Sequence, residues 1–168
     1  MMDTRWKLIV RGYIIPIILV FSLSFLVQKV AYAQVVVQQH SMQNTYHPGD
    51  RLIENKWVYH WSDPAYGDVV IIDPAFDGKR FIKRVVGAAG DTLDLRDGHL
   101  IVNGNVIDEP YAEGETWPRE VEFPCVVPEG HVFVLGDNRE ISEDSRKFGP
   151  VPVAKLEGKV EWKVWPLW

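Results

Sequence analysis

Cysteine pairs, clustered histidines and excess positive charge are all missing from this sequence of 168 residues. A single cysteine, Cys125, excludes an intramolecular disulfide framework and a cysteine-rich zinc site. The five histidines are scattered and no phosphate-binding glycine loop occurs, so we expect neither a metal nor another cofactor. The 18 basic and 23 acidic residues give a net charge of −5, which argues against a nucleic-acid partner.

Charged side chains are also absent from residues 12–28, an apolar run that follows three basic residues, Arg5, Lys7 and Arg11. About 20 apolar residues are enough for a helix to cross the hydrocarbon core of a bilayer. We therefore predict a single transmembrane helix at residues 12–33.

The basic flank of this helix sets the predicted topology. Because positive residues are retained on the cytoplasmic side, residues 1–11 are predicted to be cytoplasmic. Residues 34–168 would then form the extracytoplasmic, β-rich domain of a single-pass protein of the cell membrane. The alternative is a cleavable secretory signal, because the small residues Ala31 and Ala33 precede Gln34. Both interpretations export residues 34–168.

Long stretches with helical periodicity are missing after residue 34, where short β-branched and aromatic runs alternate with turn-forming residues. This pattern predicts a mainly β domain. Asp97-Gly98 and Asn103-Gly104 predict two successive tight hairpins, and the proline-rich, acidic segment 108–127 is predicted to be a surface excursion. The predicted strands are residues 51–58, 68–72, 81–86, 92–95, 99–102, 132–135 and 159–164.

Tryptophan is abundant, with seven in the chain. We expect most of these side chains to pack in the core or along strands. The alternative is an aromatic rim at a membrane interface, where amphipathic rings are favoured. Trp165 and Trp168, near the C-terminus, are the strongest candidates for such a rim.

Ser41 is a candidate nucleophile because it follows the β-branched stretch 35–37, just beyond the apolar run. A serine needs a base, and the adjacent His40 would point to the opposite face of a strand. Lys83 is the other candidate base. Apolar neighbours in residues 81–87 would desolvate it if the strand is buried, which lowers a lysine pKa. The alternative is a lysine that points outward from an edge strand.

Three separated segments carry motifs that include these two residues. The first, residues 41–50, reads SMQNTYHPGD; the second, residues 67–91, contains GDVV and FIKRVVG; the third, residues 136–149, reads GDNREISEDSRKFG. In order and in residue type they resemble the boxes of the type I signal peptidases, the membrane-anchored serine/lysine proteases of protein secretion. With the apolar segment, the resemblance covers nearly the whole chain.

The resemblance implies a signal-peptidase-type catalytic domain, an antiparallel β-sheet or small barrel, in which Ser41 attacks the scissile carbonyl and Lys83 takes the hydroxyl proton. The backbone N–H of Ser41 would donate to the oxyanion. Met42 and Phe81 would line a shallow pocket for small side chains. The implied partners are secretory preproteins, cleaved after a small-x-small pattern, and membrane lipid. This specificity also raises the hypothesis that the enzyme cuts its own chain after Ala33.

Other residues match supporting positions of the family. Ser142 would hydrogen-bond Lys83 and orient it. A charged network would surround this pair, formed by Asp137, Asp144 and Arg146. The alternative for these residues is ordinary turn capping and surface ion pairing.

Several positions depart from the family pattern. Asn44 replaces a proline, Tyr46 a leucine and Gln39 a small residue, while Glu140 and Ile141 replace aspartate and asparagine. We therefore keep a second hypothesis, a catalytically weak or inactive membrane-anchored paralogue that acts as a substrate-binding or assembly factor. A third interpretation, kinship with the repressor autoproteases of the DNA-damage response, is disfavoured by the membrane segment and by the lack of DNA-binding helices.

Overall fold

The N-terminal part of the chain is helical. The computed structural model describes residues 10–74, 76 and 78–166. A π-helical turn, Val10–Ile14, continues directly into the helix α1, Ile15–Ala31. Within these ranges, no helix combines the length and the apolarity that crossing a membrane requires.

The helix ends two residues before residue 33, the predicted end of the apolar anchor. The helix α1 ends at Ala31 and strand β1 begins at Tyr32. From Tyr32 onward the chain pairs with strand β2, Arg51–Asn55, instead of continuing the helix. Most of the predicted cytoplasmic segment, residues 1–9, lies outside the described residues.

The rest of the described chain is built mainly from β-strands, which confirms the mainly β part of the predicted fold class. A single helical turn, α2, occurs at Ser145–Phe148, and 3-10 turns occur at Val58–His60 and Val153–Lys155. The strands are β1 Tyr32–Val36, β2 Arg51–Asn55, β3 Val69–Ile72, β4 Phe81–Gly87, β5 Thr92–Arg96, β6 His99–Val102, β7 Asn105–Val106, β8 Cys125–Val126, β9 His131–Leu135, β10 Val151–Pro152 and β11 Leu156–Trp165.

Seven strands form a large antiparallel sheet in the order β1-β2-β11-β3-β4-β9-β10. Its central strand β3 is buried at all four residues. Val69 and Ile71 face one apolar cluster with Leu52, whereas Val70 and Ile72 face another. Because alternate side chains of β3 enter different clusters, the centre of the large sheet has a core on each face.

A smaller sheet, in the order β7-β6-β5-β8, packs beside the large one. Its cluster includes Leu93 and Leu100, and β9 of the large sheet contributes Phe133 and Leu135 to it. The remaining β9 residues Val132 and Val134 belong to a large-sheet cluster, so β9 joins the two sheets.

Both predicted hairpins of the small sheet are confirmed. Asp97 and Gly98 have φ of 51° and 78°, and Asn103 and Gly104 have φ of 53° and 83°. Two consecutive positive φ values are what a two-residue hairpin turn of the favoured hand requires, and Asn, Asp and Gly accept them most readily. These turns join β5 to β6 and β6 to β7.

Other boundaries were predicted less well. The predicted strand 51–58 ends at Asn55, because the chain turns there into the 3-10 segment Val58–His60. The strand β1 was not predicted, since its first two residues were assigned to the transmembrane helix. Of the predicted excursion, residues 108–127, only the two residues of β8 form a strand.

We expected most tryptophans to pack in the core or along strands, and the core placement is wrong for the described ones. Trp57, Trp61, Trp117, Trp162 and Trp165 are all exposed. Trp6 and Trp168 lie outside the described residues. The sequence does not reveal which face of a strand is covered, and these rings lie at exposed positions of β11 or between strands.

Candidate active site

Strand β4 carries Lys83 into the interior. Lys83 pairs in register with Val70 of the fully buried strand β3, and its side chain has no solvent exposure. Its Nζ donates a hydrogen bond to Ser41 Oγ at 2.7 Å. The alternative of an outward-pointing lysine is therefore wrong, and the structure brings the predicted nucleophile and the predicted base into direct contact.

Ser41 lies in a tight turn between β1 and β2. The turn is closed by backbone hydrogen bonds from Gln43 to His40 and from Tyr46 to Met42. Ser41 is 7% exposed, so its hydroxyl is reachable only from the surface grooves beside it. The turn thus presents a nearly buried hydroxyl to Lys83 of strand β4.

The environment of Lys83 favours the neutral amine. Burial lowers the pKa of Lys83 from 10.5 to about 8, because desolvation disfavours the ammonium more than the surrounding carboxylates stabilise it. Asp144, Glu143 and Asp137 attract the ammonium, while Arg146 repels it. At pH values slightly above neutrality, a substantial fraction of Lys83 is therefore able to accept a proton.

Asp137 is fully buried and binds two residues that sequence analysis did not single out. Arg84 donates to both carboxylate oxygens, at 2.9 and 2.7 Å. Thr45 Oγ1 donates to Oδ2 at 2.5 Å. Arg84 follows Lys83 on β4, and Thr45 belongs to the Ser41 turn, so Asp137 links the strand that holds the amine to the turn that holds the hydroxyl. The sequence contained one signal for the role of Arg84, which is that it directly follows Lys83. Successive side chains of a strand point to opposite faces, so the two basic residues have to contact different partners.

Asp144 and Arg146 form a buried ion pair, with Nε to Oδ1 at 2.9 Å and Nη2 to Oδ2 at 2.9 Å. Asp144 also accepts from the backbone N–H of Gly136 at 3.1 Å and caps helix α2. Capping therefore occurs as the alternative proposed, but surface ion pairing does not, since both side chains are almost completely buried.

Ser142 lies close to the Ser41–Lys83 pair without the hydrogen bond that the resemblance implied. Its Oγ is buried and has no hydrogen-bond partner among the described residues. A Cβ added to Gly136 would lie 2.2 Å from Ser142 Oγ and 2.5 Å from the Ser41 carbonyl oxygen. The missing side chain of Gly136 is thus what lets these two segments approach each other.

The third segment also holds the Ser41 turn through its backbone. The N–H of Asn138 donates to the Ser41 carbonyl at 3.0 Å. Together with the Asp137 contacts, this bond fixes the turn at both its backbone and its side chains. Neither Asn138 nor Gly136 could be assigned this function from sequence spacing, because the contacts join distant segments.

Two grooves meet at Ser41. The first, of about 320 Å³, is lined by residues that include Val35, Val37, Met42, Arg80 and Ile82. The second, of about 440 Å³, is lined by residues that include His40, Lys79, Phe81, Ile141 and Glu143. Gln38, Gln39 and Ser41 line both. The two predicted pocket residues therefore lie on different sides of Ser41, with Met42 in the first groove and Phe81 in the second.

The Asn44 departure has a local structural reason. Asn44 has φ of 98°, a conformation that proline cannot adopt and that asparagine tolerates better than most residues. Its side-chain amide donates to the Tyr111 carbonyl at 2.9 Å. Tyr46, the neighbouring departure, packs against the apolar cluster beneath the turn. Both substitutions are thus accommodated by contacts outside the Ser41–Lys83 pair.

Comparison with known proteins identifies relatives of this arrangement. The family model described as "Signal peptidase, peptidase S26" matches residues 8–165. The probable signal peptidase I-2 of Synechocystis sp. is 33% identical over 98% of this chain and 76% of its own length. The signal peptidase I of Bacillus licheniformis is 33% identical over 89% of this chain and 86% of its own length.

A solved structure is similar as well. The crystal structure of a signal peptidase I from Enterococcus faecalis superposes with a TM-score of 0.51 at 34% identity, covering 60% of this chain and 98% of that one. The sequence match over nearly the whole chain and the shared fold agree. The chain therefore belongs to the signal peptidase family, peptidase S26, and is a serine peptidase.

Proposed function

We propose that this protein cleaves signal peptides from exported preproteins after a small-x-small site, with Ser41 as the nucleophile and Lys83 as the general base. The observation that carries the proposal is the 2.7 Å contact between Lys83 Nζ and Ser41 Oγ in a buried site. A serine hydroxyl is a weak nucleophile unless an adjacent base accepts its proton. A buried neutral amine at hydrogen-bond distance is such a base.

The reaction would proceed in two halves. Ser41 Oγ attacks the scissile carbonyl carbon while its proton passes to Lys83 Nζ, and the resulting ammonium gives this proton to the leaving amine as the C–N bond breaks. Lys83, neutral again, then takes a proton from a water molecule that attacks the acyl ester. The ammonium returns this proton to Ser41 Oγ as the new carboxylic acid leaves.

The oxyanion needs a donor beside the nucleophile. The backbone N–H of Ser41 makes none of the backbone hydrogen bonds within the described part of the chain, which leaves it available for this purpose. One donor of this kind lowers the barrier by roughly 3 kcal/mol in other acyl-transfer enzymes.

The substrate would bind as an extended strand. Strand β9 pairs with β4 from Arg84 onward, so residues 81–83 have no strand partner on that side within the described ranges. The first groove runs from this open edge along residues 34–37. An open strand edge offers backbone donors and acceptors to a peptide, and apolar pockets between strands select its alternate side chains.

The charged groups around the pair are proposed to hold it in place. Asp137 connects the Ser41 turn with β4, and Asp144 with Arg146 supports the loop beside Lys83. Ser142 is proposed to hydrogen-bond Lys83 when the amine moves during proton transfer, since its hydroxyl is unpartnered. The intact Ser41–Lys83 contact does not favour the alternative of an inactive binding factor.

The apolar segment 12–33 is proposed to attach the chain to the membrane, with its basic N-terminal flank cytoplasmic. The side chains of α1 are apolar and exposed over most of its described length. Where the helix ends, Tyr32 stacks on Trp162 with ring centroids 6.1 Å apart, and Trp165 is exposed nearby on the same strand. Aromatic rings at the end of an apolar helix favour a membrane interface. Extraction with alkaline carbonate tests whether the chain is attached to the membrane. Protease protection in intact vesicles tests its orientation.

Self-cleavage after Ala33 is proposed to occur between molecules. Ala33 pairs with Glu54 in the β1–β2 ladder, so its peptide bond reaches a catalytic groove only when β1 separates from β2. We expect the rate per molecule to fall on dilution. A rate independent of concentration would contradict cleavage between molecules.

The proposal is tested by incubating a detergent-solubilised preprotein with the wild type and with Ser41→Ala, and sequencing the new N-terminus. The wild type should cut after a small-x-small site and Ser41→Ala should not. Ser62→Ala removes an exposed serine hydroxyl distant in sequence and should cut normally. Cleavage by Ser41→Ala at the wild-type rate, or no cleavage by the wild type of several preproteins, would refute the proposal.

A further inference from the structure

The segment 108–127 is bound along the third motif rather than lying free on the surface. The N–H of Glu113 donates to the Asp137 carbonyl at 2.7 Å, and the N–H of Arg139 donates to the Glu113 carbonyl at 2.8 Å. Further along, the N–H of Val121 donates to the Arg146 carbonyl at 3.0 Å. Two points of the segment are thus fixed to the loop that carries the charged groups around Lys83.

Between these two points, the guanidinium of Arg119 binds three backbone carbonyls of that loop. Nη1 donates to the Ser142 carbonyl at 2.8 Å, and Nη2 donates to the carbonyls of Glu140 at 2.8 Å and Arg139 at 3.3 Å. Guanidinium is suited to this because it is planar, always charged and rich in donors of fixed direction. A lysine ammonium at the same place would satisfy fewer of these carbonyls at once.

The loop held in this way, residues 139–142, leads directly to the Ser41–Lys83 pair. The Arg139 carbonyl also accepts from Arg146 Nη2 at 2.7 Å, so Arg119 and Arg146 share this carbonyl at the start of the loop. Ser142 is fully buried against Gly136, which itself lies against the Ser41 carbonyl. A displacement of the loop therefore disturbs the packing of Ser142 against the Ser41 turn. It also moves the following Glu143 and Asp144, whose charges act on Lys83.

We propose that Arg119 is a positioning residue for catalysis, which holds residues 139–142 closed over Lys83 and keeps water away from its amine. The proposal rests on the proposed function, in which Lys83 is the general base. No other part of the described excursion contacts three carbonyls of this loop through one side chain.

The consequence of losing Arg119 follows from the surroundings of Lys83. The charged groups that act on the amine are Asp144, Glu143, Asp137 and Arg146, and desolvation is the dominant influence on it. If the loop loosens, water reaches the amine and its pKa rises from about 8 toward 10.5. Less of the neutral base is then present near neutral pH.

The test compares the wild type, Arg119→Ala, Arg119→Lys and a matched control, Arg96→Ala. Arg96 lies on the small sheet, is 69% exposed and pairs only with Asp94 among the ion pairs of the described residues. For each variant, kcat and KM are measured on a preprotein from pH 6 to 10, and Tm is measured in parallel. We expect Arg119→Ala to lose roughly 10- to 100-fold in kcat with little change in KM, because small misplacements of catalytic groups cost this much.

The pH profile separates positioning from a structural role. In Arg119→Ala the rise of kcat with pH should move to higher pH, in Arg119→Lys it should move by less, and in Arg96→Ala it should not move. Unchanged kcat and an unchanged profile in Arg119→Ala, even with a lower Tm, would overturn the inference. If Arg119→Ala does not fold, a wild-type pH profile of kcat in Arg119→Lys would likewise overturn the inference. Failure of the wild type to cleave would refute the proposed function instead.

Discussion

The two sheets differ in what they bury. The small sheet surrounds aliphatic side chains such as Leu93 and Leu100, and its hairpins are closed by local turns. The large sheet and its loops bury charged groups as well, including Lys83, Asp137 and Glu54. A buried charge has to find partners or become neutral, so the large sheet depends on contacts between distant segments. The hairpins of the small sheet are therefore specified locally, whereas the site is specified by the assembled fold.

Replacement of Lys83 by methionine should have the largest effect. Lys83→Met removes the base while keeping an unbranched apolar chain of similar length, so we expect processing to fall by at least about 1,000-fold with stability changed by no more than about 1 kcal/mol. Arg96→Met on the small sheet should retain full processing. Activity and Tm measured side by side check both statements, and residual processing near the wild-type rate in Lys83→Met contradicts the account.

A methyl group at Gly136 should have the next largest effect. Gly136→Ala forces the Ser142 hydroxyl and the Ser41 carbonyl apart, because the added Cβ would lie 2.2 and 2.5 Å from them. We expect a loss of about 100-fold in kcat and of about 1–3 kcal/mol in stability. These are read from initial rates and urea denaturation.

The small sheet supplies the matched control for that substitution. Gly104 has φ of 83° with no heavy atom within 4 Å of an added Cβ, so Gly104→Ala should cost about 1–2 kcal/mol of backbone strain and leave kcat unchanged. If both alanine variants lose activity equally, the close approach at Gly136 is not specific to the site.

Substitution of Glu54 should have the smallest effect of these variants, and it should raise the stability of the protein rather than lower it. Both carboxylate oxygens are buried without a hydrogen bond in the described structure, and Arg80 Nη2 lies 3.6 Å from Oε2. Burial raises the pKa of Glu54 above 4.5, and Glu157 raises it further. The unfolded state therefore releases this proton at lower pH than the folded state, and stability declines as pH rises from 4.5 through the raised pKa.

Glu54→Gln removes this ionisation, so it should gain about 1 kcal/mol at pH 7 relative to the wild type and flatten the decline. Urea denaturation at pH 4.5 and pH 7 measures the difference. Glu120→Gln, at an exposed position, should leave the decline unchanged. If stability depends on pH identically in the wild type and in Glu54→Gln, Glu54 is not the source of the decline in stability.

The same contrast explains what could be predicted from sequence. Asp97-Gly98 and Asn103-Gly104 specify the hairpins because their φ preferences are local. Ser41 and Lys83 were found because they lie in short motifs that resemble those of the type I signal peptidases, whereas the burial of Lys83 could not be decided from the sequence. Arg119, by contrast, acts through carbonyls of a separate loop, and nothing in its neighbourhood in the sequence indicates them.

Two errors have a similar origin. The start of β1 was assigned to the transmembrane helix, because an apolar run does not mark where its helix gives way to a strand. The tryptophans were assigned to the core or to packing along strands, although those of β11 are exposed. Both depend on how elements pack, which a single sequence does not specify.

The central claim is that Lys83 is a neutral base for Ser41, and the most direct test is the titration of its amine. NMR of protein labelled with carbon-13 at lysine Cε, with Lys83→Met used to identify the signal, follows this titration. The account predicts a midpoint near 8, well below the ordinary value of 10.5. A midpoint near 10.5 would contradict it, because the amine would then be almost entirely charged near neutral pH.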